Sequence, residues 1–180
     1  MGYEVASLSS LIKEYVEQEG SLEDLQRAFS SFHCIKNEDE EDFLHNKAIG
    51  FEQRNKARTY LIFDDQGIAA YFSLAIKTID LQDVSASKKQ DMLAGETAET
   101  YSAFLIGHIA KNDRVKETLG DYILNNAITL LLQAQDIVGG RLVYLDCKDI
   151  KQLKAFYEKN GFRYFQTSPE SKLLQYYKKL

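Results

Sequence analysis

Leu142–Gly161, LVYLDCKDIKQLKAFYEKNG, decides how the rest of the chain is read. Its first four residues are apolar or aromatic, a run too short for a helix and suited to a buried strand. After a polar break, Leu153, Phe156 and Tyr157 recur three and four residues apart, which marks one face of a helix, and Gly161 supplies the stop. The segment therefore predicts a strand over 142–145, a helix over 151–159 and a returning strand over 162–166. Towards the C terminus, Thr167-Ser168-Pro169-Glu170 contains the only proline and predicts a turn, with a last strand over 173–177.

Working back from it, residues 103–110, AFLIGHIA, form a long apolar strand interrupted by Gly107, where a glycine marks a bulge or the close approach of a backbone or ligand. The polar loop KNDRVKET follows, then Leu119-Gly120 and an apolar helix carrying Tyr122, Ile123, Ala127, Leu130, Leu131 and Ala134, closed by Gly139-Gly140. Further upstream, RTYLIF and IAAYFSLAIKTI flank the turn Asp64-Asp65-Gln66-Gly67 and predict a hairpin. Its second strand is apolar on both faces, which predicts a central position. Residues 83–95 read as a loop and short helix capped by Ser85 or Ser87.

The first 57 residues read as leading helices: 8–18, then one capped by Ser21, then a longer one carrying Phe43, Leu44, Ala48, Ile49 and Phe51 and ending near Asn55. A short edge segment is expected at 32–35. The acidic run NEDEED, 37–42, reads as the solvated start of the longer helix, because it lacks the glycine and spacing of a calcium loop. The order of elements predicts one α/β domain over 1–180 with a mixed sheet, its core in 58–180.

A net charge of −5, from 22 basic and 27 acidic residues, is the wrong sign for general affinity to nucleic acid. No apolar run reaches membrane-spanning length and no leader pattern opens the chain, so a cytoplasmic protein that does not enter a membrane is expected. Cys34 and Cys147 lack the spacing of a zinc site or disulfide framework, and are expected to be thiols with no metal bound.

AFYEKNGF, Ala155 to Phe162, resembles the closing helix-to-strand signature of the GCN5-related N-acetyltransferase (GNAT) superfamily. VYLDC before it, the hairpin GIAAYFSLA, and the third strand leading to a loop and helix fall in that family's order, so the resemblance covers roughly residues 58–180 and, in outline, the leading helices. It implies a mixed, mostly antiparallel central sheet flanked by helices, with a splayed pair of strands, 103–110 and 142–147, forming an acetyl-CoA groove. It also implies acetyl-CoA as co-substrate and direct transfer to a primary amine.

The roles the resemblance implies are these. The strand at His108, Ile109 and Ala110 would pair with the pantetheine arm and align the thioester. The loop with Arg114, Val115, Lys116, Thr118, Leu119 and Gly120 would take the pyrophosphate. The family pattern there is Q/R-x-x-G-x-G/A; in Val115–Gly120 only the last glycine is kept, Thr118 replaces the middle one, and Glu117 opposes phosphate charge. Tyr157 matches the tyrosine that donates a proton to the leaving thiolate. The family's frequent asparagine seven residues earlier falls on Ile150.

No general base declares itself: His108 is one candidate against a structural role, and relayed water to a carbonyl or acidic side chain is another. Ser73 is a candidate to face the substrate cleft. His33, His45 and Cys147 read as structural. The strands YFSLA and IGHIAKN and the end YLDC…FYEKNGF are also similar to the branch containing toxin acetyltransferases that modify aminoacyl-tRNA, but the negative charge argues for a small-molecule or peptide amine as acceptor and against nucleic acid. A homodimer is allowed for. The second class of reading is a non-catalytic binding or regulatory module that keeps the fold after the phosphate loop has decayed.

Overall fold

A computed structural model describes residues 2–180. Along it run β1 (Glu4–Ser7), α1 (Leu8–Glu17), α2 (Leu22–Ala28), α3 (Glu38–Asp42), α4 (Ala48–Gln53), β2 (Arg58–Asp64), β3 (Gly67–Asp80), α5 (Ala86–Met92), β4 (Thr100–Lys111), α6 (Gly120–Val138), β5 (Leu142–Cys147), α7 (Lys151–Lys159), β6 (Arg163–Thr167) and β7 (Leu174–Lys179). The strands form one mixed sheet in the order β1-β2-β3-β4-β5-β7-β6, with β4 and β5 parallel and the pairs β1–β2, β2–β3, β5–β7 and β6–β7 antiparallel. The expected α/β class and mostly antiparallel sheet are as read from the sequence.

The chain falls into two compact units, Met1–Ala75 with His108–Ala127, and Ile76–Gly107 with Ile128–Leu180. In the first, α1 and α2 start at Ser7 and Ser21, whose hydroxyls accept the amides of Ser10 and Asp24, each at 3.1 Å. Leu8, Leu25, Phe29, Phe32, Phe43, Leu44, Leu61 and Tyr71 close together as its core. Strand β3 is buried without a break from Ile68 to Leu74, which is the double-sided cover its apolar sequence predicts. Asn112, 1% exposed, donates from Nδ2 to the carbonyls of Ser31 (3.1 Å) and Ile68 (2.9 Å), and so ties the chain after β4 to the leading segment and the hairpin.

In the second unit, Leu142, Tyr144, Phe165, Tyr177, Met92 and Leu93 form the core. Strand β5 is registered with β7 over its whole length, but with β4 only at Phe104↔Val143 and Leu105↔Tyr144. Cys34 and Cys147 are thiols, and burial pushes Cys147 up to about 11.

Three expectations are corrected. Residues 4–7 pair with β2 as a strand, which four residues cannot announce because the evidence for them is the partner. Residues 32–35 are not a strand; a 3-10 turn at Phe29–Ser31 precedes them, and they are held by the Asp113 amide donating to the His33 carbonyl and the Ile35 amide donating to Asp113 Oδ2, both at 2.8 Å. The longer helix is broken in the middle by a π-turn at Phe43–Lys47, and adjacent Phe43 and Leu44 are both buried there.

Candidate functional site

The loop between β4 and α6 is pinned at its ends and open in the middle. Val115 and Leu119 are each 4% exposed, while Lys116, Glu117 and Thr118 lie on the surface. The Lys111 ammonium donates to the Val115 carbonyl, and the Val115 amide donates to the Asn112 carbonyl at 3.0 Å. That amide is therefore committed within the loop. Beyond it, α6 begins at Gly120, and its first-turn amides carry the positive end of a 19-residue helix.

Arg114 is engaged by neighbouring groups in this structure. Its guanidinium forms a two-pronged pair with Asp64 (2.8 and 2.7 Å) and donates to the Gly67 carbonyl at 3.0 Å. Hydrogen bonds from Arg114 hold the Asp64 carboxyl below the usual range. Both side chains are mostly covered, at 28% and 15% exposure, so the pair clamps the loop to the β2–β3 turn. Beside it is a pocket of about 180 Å³ lined by Tyr3, Asp64, Asp65, Gln66, Arg114, Val115, Lys116 and Glu117. With Arg114 paired to Asp64, Lys116 is the exposed cation of this rim.

Arg114→Ala is expected to lower the free energy of unfolding by about 1–2 kcal/mol, since it strands a largely covered carboxylate. Because the folded Asp64 value is depressed, this loss is present above the ordinary carboxylate range and fades as pH falls through the lowered value. Urea denaturation of wild type and variant at pH 7 and pH 3 measures both.

Within the same unit, the acidic run proves to be only partly solvated. Glu41 Oε2 accepts the Cys34 amide at 2.6 Å, which holds the Glu41 carboxyl low. Glu40 turns inward: its Oε2 lies 2.9 Å from His108 Nδ1 and 2.9 Å from the Tyr71 hydroxyl, which also reaches the Glu40 carbonyl at 2.6 Å. The His108 ring stacks on Phe43 with centroids 3.7 Å apart and planes at 15°. Burial, then the adjacent carboxylate, pushes the Tyr71 phenol up, so it serves as a donor. Sequence reasoning missed Glu40; the available signal was its three-residue spacing from Phe43, which puts both on one helical face.

Ile109 is half-buried and Ala110 is 5% exposed, in the core of this unit. Ser73 is 2% exposed and sits opposite Thr59 in the β2–β3 ladder, so its hydroxyl does not reach the surface. His45 Nε2 contacts the Phe32 carbonyl at 2.9 Å and His33 lies 3.6 Å from Glu41, as structural histidines would.

In the second unit, α7 presents Tyr157 at 9% exposure, among the rings of Phe156, Phe162 and Tyr176 at 5.1, 5.9 and 6.4 Å. The helix ends as the sequence predicts: Gly161 takes φ 82°, its amide donates to the Glu158 carbonyl and the Phe162 amide to the Tyr157 carbonyl, each at 3.0 Å. This is a Schellman ending, with the Phe162–Tyr157 contact as its apolar clasp. Ile150, where the family has asparagine, is 43% exposed at the start of α7.

Among the described residues no helix is long and apolar enough to cross a membrane, and no three His, Cys, Asp or Glu side chains gather as a metal site.

No family model and no curated protein matches the sequence. Solved structures do match. KacT, solved as a tyrosine-to-phenylalanine mutant, is 16% identical over 98% of this chain and 95% of its own, with a TM-score of 0.71. The AtaT toxin, solved as a tyrosine-to-phenylalanine mutant with the C-terminus of the antitoxin AtaR and acetyl-CoA, is 14% identical over 98% of this chain and 92% of its own, with a TM-score of 0.64. AtaT complexed with acetyl-methionyl-tRNAfMet is 16% identical over 81% of this chain and 85% of its own, with a TM-score of 0.65. The chain has the acetyltransferase fold that its sequence resembles. The expected partners are corrected: proteins of this fold are found with a transfer RNA and with an antitoxin, so the net charge was no ground for preferring a small-molecule or peptide amine over nucleic acid.

Proposed function

We propose that this chain is an acetyl-CoA-dependent N-acetyltransferase whose acceptor is the amino group of an aminoacyl-tRNA. The observation that supports it most is the fold shared over 81% of the chain with AtaT, whose partner in that complex, acetyl-methionyl-tRNAfMet, is the kind of product such a transfer yields. The main chain of His108–Ala110 aligns the thioester, Lys116 and the amides from Thr118 to Gly120 take the pyrophosphate, and Tyr157 protonates the departing thiolate. Two neighbours carry a tyrosine-to-phenylalanine change, the substitution that deletes only a phenolic hydroxyl.

Acceptor recognition is expected to centre on the aminoacyl 3′ end of the tRNA, where the reacting amine lies. Acetyl-CoA titrated by calorimetry is expected to bind saturably, and Lys116→Glu to weaken it about tenfold. With labelled acetyl-CoA and a mixed pool of aminoacyl-tRNAs, label is expected on the aminoacyl group, with a salt dependence shallower than that of two or three phosphate contacts. No binding at millimolar acetyl-CoA would leave a non-catalytic module that keeps the fold; binding without label on any tRNA would reject the acceptor.

A further inference from the structure

Glu40 and His108 are 68 residues apart in sequence and joined by a 2.9 Å hydrogen bond. A carboxylate that already accepts from the Tyr71 hydroxyl has only acceptor sites to offer His108, so Nδ1 carries the hydrogen, and in the neutral ring the lone pair is on Nε2. The ring is held in plane on Phe43, and the His108 side chain is 30% exposed against 16% for Glu40: the carboxylate is covered and the imidazole reaches the surface. Glu40 and Phe43 contact this imidazole, and Tyr71 and Cys34 lie beside the same carboxylate. Glu40 Oε2 thus joins the imidazole at Nδ1 and the Tyr71 hydroxyl.

We infer that His108 is the general base of the transfer and Glu40 the residue that positions it, an assignment that rests on the acetyltransferase reading. Nε2 takes a proton from the acceptor ammonium, and the amine nitrogen then bonds to the thioester carbonyl carbon. The tetrahedral adduct loses its second amine proton to solvent and collapses with cleavage of the C–S bond, and the thiolate receives a proton. One proton is released overall. An α-amino group has an ordinary value of about 7.7–8.0, so deprotonation near neutral pH is close to balanced and a well-placed imidazole contributes about 10²-fold.

The test uses the full chain, acetyl-CoA and a mixed pool of aminoacyl-tRNAs. His108→Gln retains a donor to Glu40 but no base, and is expected to lower kcat about 10²-fold with KM within threefold. His108→Ala is expected to fall as far and to recover with added imidazole. Glu40→Gln is expected to lower kcat about tenfold at unchanged KM, and nitrogen-15 imidazole spectra are expected to show His108 protonated at Nδ1 in wild type and as a tautomer mixture in Glu40→Gln. Turnover within threefold of wild type in His108→Gln, an absent imidazole rescue, or an Nδ1 without hydrogen in wild type would each overturn the inference while acetyl-CoA binding is retained. Loss of acetyl-CoA binding by the wild type overturns the functional reading and the base with it, and the spectra then decide the Glu40–His108 pair alone.

Discussion

Tyr157→Phe is expected to lower kcat for acetyl transfer by on the order of 10³-fold while leaving the acetyl-CoA dissociation constant within about twofold of wild type. The ring, 9% exposed among Phe156, Phe162 and Tyr176, keeps its packing when only the hydroxyl is removed, so the fold is retained. On the proposed mechanism what is lost is a proton donor: a phenol's ordinary value of about 10 lies near the ~8.5 of a thiol, so transfer to a nascent thiolate is nearly balanced. Its place is set by the end of α7: the glycine at φ 82° and the Phe162 amide bonded to the Tyr157 carbonyl fix the last turn. Steady-state kinetics beside calorimetry measure the two effects. Equal losses in turnover and binding, or turnover within threefold of wild type, would remove Tyr157 from the chemistry.

The largest stability effect is expected at Gly140, in the turn from α6 to β5. Its φ of 116° is one that side chains rarely adopt, and a Cβ there would lie 2.6 Å from Phe104 Cε2 and 2.9 Å from Cζ. Phe104 cannot swing away cheaply, since it is 6% exposed and its backbone is registered with Val143 in the β4–β5 ladder. Backbone strain of about 1–3 kcal/mol adds to an overpacking cost of similar size, so Gly140→Ala is expected to lose about 3–4 kcal/mol in urea denaturation. Gly139→Ala is the control: φ is 75° and nothing lies within 4 Å of its Cβ, so the loss should be about 1 kcal/mol. Equal losses at the two positions would show that the Phe104 contact gives way.

The sequence by itself determined the elements whose evidence is local. Period and punctuation placed α7 and its glycine stop, the two-sided burial of β3 and the hairpin turn, because each depends on residues a few positions apart. The resemblance carried by AFYEKNGF is equally local, and it is what proposes Tyr157. Only the tertiary structure decided which charged groups are engaged. Arg114 reads as a free loop cation in the sequence, and Asp64, 50 residues away, holds its guanidinium. Glu40 looked solvated until Tyr71 and His108 were found on its carboxylate. A side chain's hydrogen-bond partner is set by what the fold brings within about 3 Å of it, and no spacing along the chain encodes that. The expected partners were misread for a related cause: net charge sums the whole surface, whereas an aminoacyl end would be met by a few groups at one place.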